Sequence, residues 1–179
     1  APTKALQRPL VVKSGLVEMD HANDVCQIAV VERHRGLGTV VNAFVSGFGY
    51  NVECAVASTV AHDSHHIIVV GTNHDDMALA ANTLSEIGGG VVVVSNGREL
   101  ARVELVVAGL MSDEPAEIVA AKAEKMIAAM KACGCNLNNA FMQHSLLALV
   151  VIPELRISDM GLIDVRTFEK VDLFVQSSR

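Results

Sequence analysis

The stretch Val91-Val92-Val93-Val94-Ser95-Asn96-Gly97 decides the fold. Four consecutive valines favour an extended strand, because β-branched side chains fit a pleated sheet well. Asn-Gly is typical of a two-residue turn in which both residues take positive φ, and a second β-rich run covers residues 100–107. The stretch therefore predicts an antiparallel hairpin.

Three more β-rich runs precede this hairpin, at residues 25–31, 40–45 and 52–60. Glycine-containing segments at residues 35–38 and 47–49 separate them, and glycine supplies the positive φ that tight turns need. The simplest pairing of the three runs is an antiparallel meander. Residues 67–70 are all apolar and predict a strand that is covered on both faces.

Two amphipathic helices are predicted after these strands. The first begins at residues 72–75 with a hydroxyl cap and an acid, and Gly88-Gly89-Gly90 ends it. The second begins at residues 112–115, where a cap, acids and a proline coincide, and runs to about Cys133 before Gly134. Residues 146–152 predict the last strong strand, which Pro153 ends, and residues 158–161 predict a turn.

These elements predict an α+β fold, a mainly antiparallel sheet of hairpins and a meander with about two amphipathic helices packed on it. The length of 179 residues and the apolar content of 51% predict a single domain over residues 1–179 with its core at about 24–175.

Charge and composition exclude several classes of function. The formal net charge is −6 and only 3% of residues are aromatic, so we expect no nucleic-acid binding. The longest apolar stretch, residues 146–152, is too short to cross a bilayer as a helix, and no secretory signal is visible. The sequence therefore predicts a soluble, cytoplasmic protein without a membrane partner, whose four cysteines are reduced.

The densest polar cluster is His62-Asp63-Ser64-His65-His66, between two apolar runs. Its imidazoles and carboxylate could ligate a metal or move protons, and His74 could join His62, Asp63 and His65 in an independent metal site. The spacing matches no established metal motif, and the His-x-Glu and Pro-Cys-x-x-Cys pattern of cytidine deaminases is absent. The alternative interpretation is a polar loop whose histidines cap strand ends and bond to backbone.

Several motifs resemble the C-terminal domain of bacterial and archaeal adenine deaminases, in the order of that family. They are residues 60–73 with Asp75-Asp76-Met77-Ala78, then Gly88-Gly89-Gly90, Ala108-Gly109-Leu110-Met111-Ser112-Asp113, Val151-Ile152-Pro153-Glu154-Leu155, Gly161-Leu162 and Asp164-Val165. The resemblance covers residues 25–174. His66 stands where we expect Asn in the family, and residues 140–144 depart from the usual Pro-Phe-Met.

The resemblance implies hydrolytic deamination of adenine to hypoxanthine and ammonia, in purine salvage, by an enzyme of the amidohydrolase superfamily. The manganese or iron ligands of that family lie in an N-terminal barrel, which nothing in this sequence matches, so we expect no metal on this chain alone. The chain then resembles the C-terminal part of the enzyme, cut or encoded separately and inactive alone, with the barrel and adenine as partners and a tendency to form homo-oligomers. A free-standing binding or assembly module without a catalytic partner is the alternative.

Under this resemblance, His62, Asp63, Ser64 and His65 are expected to face the barrel mouth and to complete the catalytic site there. His62 or His65 could hydrogen-bond the purine or relay a proton to the departing ammonia, while Asp63 fixes a ring tautomer.

Overall fold

A computed structural model describes residues 2–175 of the chain. Its strands are β1 Val12–Lys13, β2 Leu16–Val17, β3 Val25–Val31, β4 Val40–Ser46, β5 Cys54–Ser58, β6 Ile67–Gly71, β7 Gly90–Ser95, β8 Arg98–Glu104, β9 Leu155–Ser158, β10 Gly161–Asp164 and β11 Glu169–Val171. Its helices are α1 His74–Ile87, α2 Ala116–Ala132 and α3 Ala140–Leu146, with a 3-10 turn at residues 21–23.

A six-stranded antiparallel sheet, in the order β4-β3-β6-β5-β7-β8, forms the centre of the fold. The hairpin predicted from the valine run is confirmed: Ser95 pairs with Arg98, and Asn96 and Gly97 both have positive φ between them. Strands β9 to β11 make a separate small sheet, with the predicted turn between β9 and β10. The α+β class is confirmed.

The predicted meander is wrong for its third strand. Strand β3 pairs with β4 as expected, but its other edge pairs with β6, and β5 lies between β6 and β7. The burial of the strands gives the reason. Both β5 and β6 are fully buried, so they occupy the middle of the sheet, whereas β4 is partly exposed and forms an edge.

Helical layers cover both faces of the central sheet. Alternate residues of each inner strand point to opposite faces: Val56 and Val93 belong to the core beneath α2 and α3, whereas Ala57 and Val92 belong to the core beneath α1. Because both faces are covered, these strands read as continuous apolar runs although the sheet is antiparallel.

Both predicted helices are confirmed. Gly88 ends α1 in the left-handed conformation, as expected. The cap of α1 is Asn73, whose side chain accepts a hydrogen bond from the Asp76 N–H, while the Thr72 hydroxyl accepts one from the Cys54 N–H.

The strand predicted over residues 146–152 is wrong. Helix α3 ends at Leu146, and residues 147–153 form turns. A short apolar run does not by itself specify a strand. Beyond Leu146 this run is mostly half-buried and pairs with no strand of the described chain.

Candidate functional site

The polar cluster at residues 62–66 lies in the loop between β5 and β6, at one end of the central sheet. The register places the ends of neighbouring strands together there: Val31 pairs with Ile67, and Ser58 pairs with Val91. The loops after β3, β5 and β8 therefore emerge at the same end. We call this the loop end of the sheet.

The candidate residues His62, Asp63, Ser64 and His65 are adjacent on this loop. The rings of His62 and His65 are nearly perpendicular, with their centroids 5.2 Å apart. Asp63 and Ser64 are exposed, and both histidines are half-buried. The structure thus gives the loop an accessible polar surface with two adjacent imidazoles.

The two imidazoles differ in their hydrogen bonds. The Ala61 N–H donates to Nδ1 of His65 over 3.3 Å, which assigns the proton of the neutral ring to Nε2. Burial, and then the neighbouring His62, lower the pKa of His65, so that its ring is neutral near pH 7. Among residues 2–175, neither ring nitrogen of His62 has a hydrogen-bond partner. His65 therefore presents a donor, whereas His62 is free to accept or donate.

Arg33, which follows β3, fixes the backbone of this loop. Its Nε donates to the His65 carbonyl over 2.6 Å, and its Nη2 donates to the Ala108 carbonyl over 2.8 Å. Partial burial of the guanidinium lowers the pKa of Arg33. One side chain thus joins the β5–β6 loop to the segment that follows β8.

Glycine is favoured where Arg33 crosses this segment, because the backbone there has a positive φ. A Cβ on Gly109, whose φ is +75°, would lie 2.8 Å from Arg33 Nη2. The Thr59 hydroxyl donates to the Gly109 carbonyl over 2.6 Å, and a Cβ on Gly89 would lie 2.5 Å from the Gly109 Cα. The motifs Gly88-Gly89-Gly90 and Ala108-Gly109 therefore pack against each other beneath the loop.

The β3–β4 loop supports the site from the other side. The Glu32 carboxylate accepts the backbone N–H groups of His34, Arg35 and Leu37, and these bonds, that of Leu37 foremost, lower the pKa of Glu32. This ordered turn positions His34, whose Nε2 donates to the Ser64 carbonyl over 2.6 Å.

His66 is buried. The Arg33 N–H donates to its Nδ1 over 3.4 Å, and its Nε2 lies 3.6 Å from a carboxylate oxygen of Asp159 in the β9–β10 turn. Its ring also contacts that of His34, with the centroids 4.7 Å apart. His66 therefore joins the small sheet to the loop end and is a supporting residue.

The residues suggested for an independent metal site are not brought together. His74 begins α1 at the opposite end of β6, where its Nε2 bonds to the Gln27 side chain over 2.9 Å. Within residues 2–175, no three His, Cys, Asp or Glu side chains are arranged to hold a metal ion. The residues present do not fit a manganese or iron ion, so we assign no step on this chain to a metal.

Sequence reasoning identified the loop and missed its supports. The supporting residues lie far before the loop in the chain and form no motif with it. Arg33 is 32 positions before His65, and His34 is 30 positions before Ser64. The glycine motifs at residues 88–90 and 108–109 were the one sequence signal for a support beneath the loop. Their close approach follows once β7 is paired with β8.

Comparison with known proteins assigns the family. The adenine deaminase C-terminal domain family matches residues 1–169. The chain belongs to this family. Adenine deaminase 3 of Rhizobium meliloti is 71% identical over 176 residues, which are 98% of this chain and 30% of that protein. Adenine deaminase of Mesorhizobium japonicum is 73% identical over 175 residues, and that of Clostridium botulinum is 48% identical over 167 residues.

The adenine deaminase C-terminal domain is a minor part of these relatives. The chain spans about 30% of the length of the curated relatives it matches, so most of each relative lies outside the domain. Within residues 2–175, no helix is long and apolar enough to cross a membrane.

Proposed function

We propose that this chain is the C-terminal domain of an enzyme that hydrolyses adenine to hypoxanthine and ammonia, and that its β5–β6 loop completes the active site. One observation carries the proposal: two adjacent imidazoles, one of them without a partner among the described residues, lie on an accessible loop that four other segments hold in place. A merely capping loop needs no free imidazole.

The surroundings of the loop support contact with another part of the enzyme. Three large apolar side chains at the loop end are exposed: Leu37 (60%), Met111 (60%) and Met160 (74%). Exposed apolar side chains beside polar residues are typical of an interface. In the proposed enzyme, this surface lies against the mouth of a preceding amidohydrolase barrel.

The hydrogen bonds suggest separate roles for the two histidines. When ammonia leaves the purine ring, its nitrogen must gain a proton, and imidazole exchanges protons near neutral pH. We assign this proton transfer to His62, whose nitrogens are free, and a hydrogen bond from Nε2 to the purine to His65. We further propose that Asp63 fixes a ring tautomer and that Ser64 presents its hydroxyl to the substrate.

The activated water of the reaction belongs to the barrel, where manganese or iron would lower the pKa of bound water. We also propose that the enzyme acts in purine salvage, in the cytoplasm, and that it self-associates. The chain itself would form one domain, with its core at about residues 24–175.

The test compares ammonia release from adenine by the 179-residue chain and by the same chain joined to the preceding portion of an adenine deaminase, both with manganese. We expect the joined protein to be active and the chain alone to be folded, metal-free and inactive. Activity of the chain alone would contradict the proposal. A joined protein that stays fully active after residues 62–65 are replaced by glycine and serine would indicate an assembly module instead.

Replacing Arg33 by glutamine is expected to lower kcat of the joined enzyme about tenfold, because the guanidinium bonds that tie the His65 carbonyl of the loop to the Ala108 carbonyl are lost. Small displacements of reacting groups are costly. Amide hydrogen exchange of residues 61–66 should accelerate at the same time. Arg35→Gln is the matched control, since the Arg35 side chain is exposed in the same loop. Equal kcat and equal exchange in both variants would show that Arg33 does not position the loop.

A further inference from the structure

The N-terminal hairpin of strands β1 and β2 exposes most of its apolar side chains. Val12 pairs with Val17, and Lys13 pairs with Leu16, across a turn at Ser14-Gly15. Val11, Val12 and Leu16 are 66%, 62% and 60% exposed. The apolar residues of this hairpin are therefore not used by the core.

Two-residue strands that pair only with each other are not stable in water, because too little apolar surface is buried to order the backbone. Within the described chain, β1 and β2 form a sheet of their own with both outer edges free. The flanking segments are nevertheless held. Thr3 bonds to the backbone at the start of β9, and Asp20 pairs with Val25 at the start of β3.

The family and its relatives indicate what lies next to this hairpin. The matched family is a C-terminal domain, and about 70% of each relative lies outside it. In such a protein, the larger portion precedes the domain that contains the hairpin. A link within one chain gives the preceding portion a higher effective concentration at the hairpin than a separate partner has.

We propose that the β1–β2 hairpin is a docking element whose apolar side chains pack against the preceding portion of the full-length protein. This inference rests on the part of the proposed function that joins the chain to such a portion. It does not depend on the chemistry of the histidine loop. Val25 lies at the end of β3 opposite to the loop end, so the hairpin adds a second contact, separate from the loop.

Amide hydrogen exchange measured by mass spectrometry tests the proposal on the 179-residue chain and on the full-length protein. We expect the amides of residues 12–17 to exchange at least about tenfold more slowly in the full-length protein. Val12→Asp in the full-length protein should restore the fast exchange and leave β3 protected. Lys13→Ser is the matched control, because it changes the strand residue next to Val12 without altering an apolar side chain.

Equal exchange of the hairpin in both proteins would overturn the proposal. So would protection in the 179-residue chain that increases with protein concentration, because a second copy would then be the occupant. Slow exchange of the hairpin amides in a full-length protein that does not deaminate adenine would support the docking element and contradict the proposed function. The two proposals can therefore fail independently.

Discussion

Replacing His62 by alanine in a full-length adenine deaminase that carries this domain is expected to lower kcat about 100-fold, the usual loss when a positioned proton donor is removed. KM for adenine should change little, because proton transfer stabilises the transition state rather than the bound substrate. Added imidazole should restore part of kcat, since the free side-chain volume can admit it. The measurement is steady-state ammonia release with and without imidazole.

Alanine variants of two other histidines are compared with His62→Ala. His65→Ala should raise KM more than it lowers kcat, because the hydrogen bond assigned to its Nε2 is present in the bound substrate. His74→Ala should leave both constants unchanged, since His74 lies at the opposite end of β6. If His62→Ala keeps kcat within twofold of His74→Ala, His62 does not transfer the proton.

Gly90→Ala is expected to lower the free energy of unfolding by about 3 kcal/mol, among the largest single effects in the fold. Gly90 begins β7 with a φ of +144°, and a Cβ there would lie 2.1 Å from the Val103 carbonyl oxygen. The obstacle is backbone, so the ladder between β7 and β8 must shift. Urea denaturation followed by circular dichroism measures the change.

Gly97→Ala is the control for this substitution. Gly97 also has positive φ, at +71°, but a Cβ there meets nothing within 4 Å. Its cost should be about 1 kcal/mol, from the backbone conformation alone. Equal midpoints for Gly90→Ala and Gly97→Ala would show that the close approach of β7 and β8 does not limit stability.

Local signals in the sequence predict much of this fold. The valine run with Asn-Gly and the glycine stops of both helices depend on neighbouring residues, and the structure confirms them. The place of β5 does not follow from such signals, because a strand pairs with whichever segment completes its burial. Residues 146–152 show the same limit, since an apolar run does not specify a conformation, and in this run Val151 is even exposed.

The candidate site could likewise be predicted only in part. His62 to His65 are adjacent in sequence, so their polarity between two apolar strands was visible. Arg33 reaches them only because β3 and β6 are neighbours, and the pairing of those strands was not predicted. The different hydrogen bonds of His62 and His65 likewise depend on how the loop folds back onto Ala61.

A crystal structure of a full-length adenine deaminase carrying this domain, with hypoxanthine bound, would show whether the β5–β6 loop reaches the purine. We expect the β5–β6 loop at the mouth of the active site, with a nitrogen of His62 or His65 about 3 Å from the purine. A purine enclosed by the preceding portion alone, with this loop exposed to solvent elsewhere on the enzyme, would contradict it.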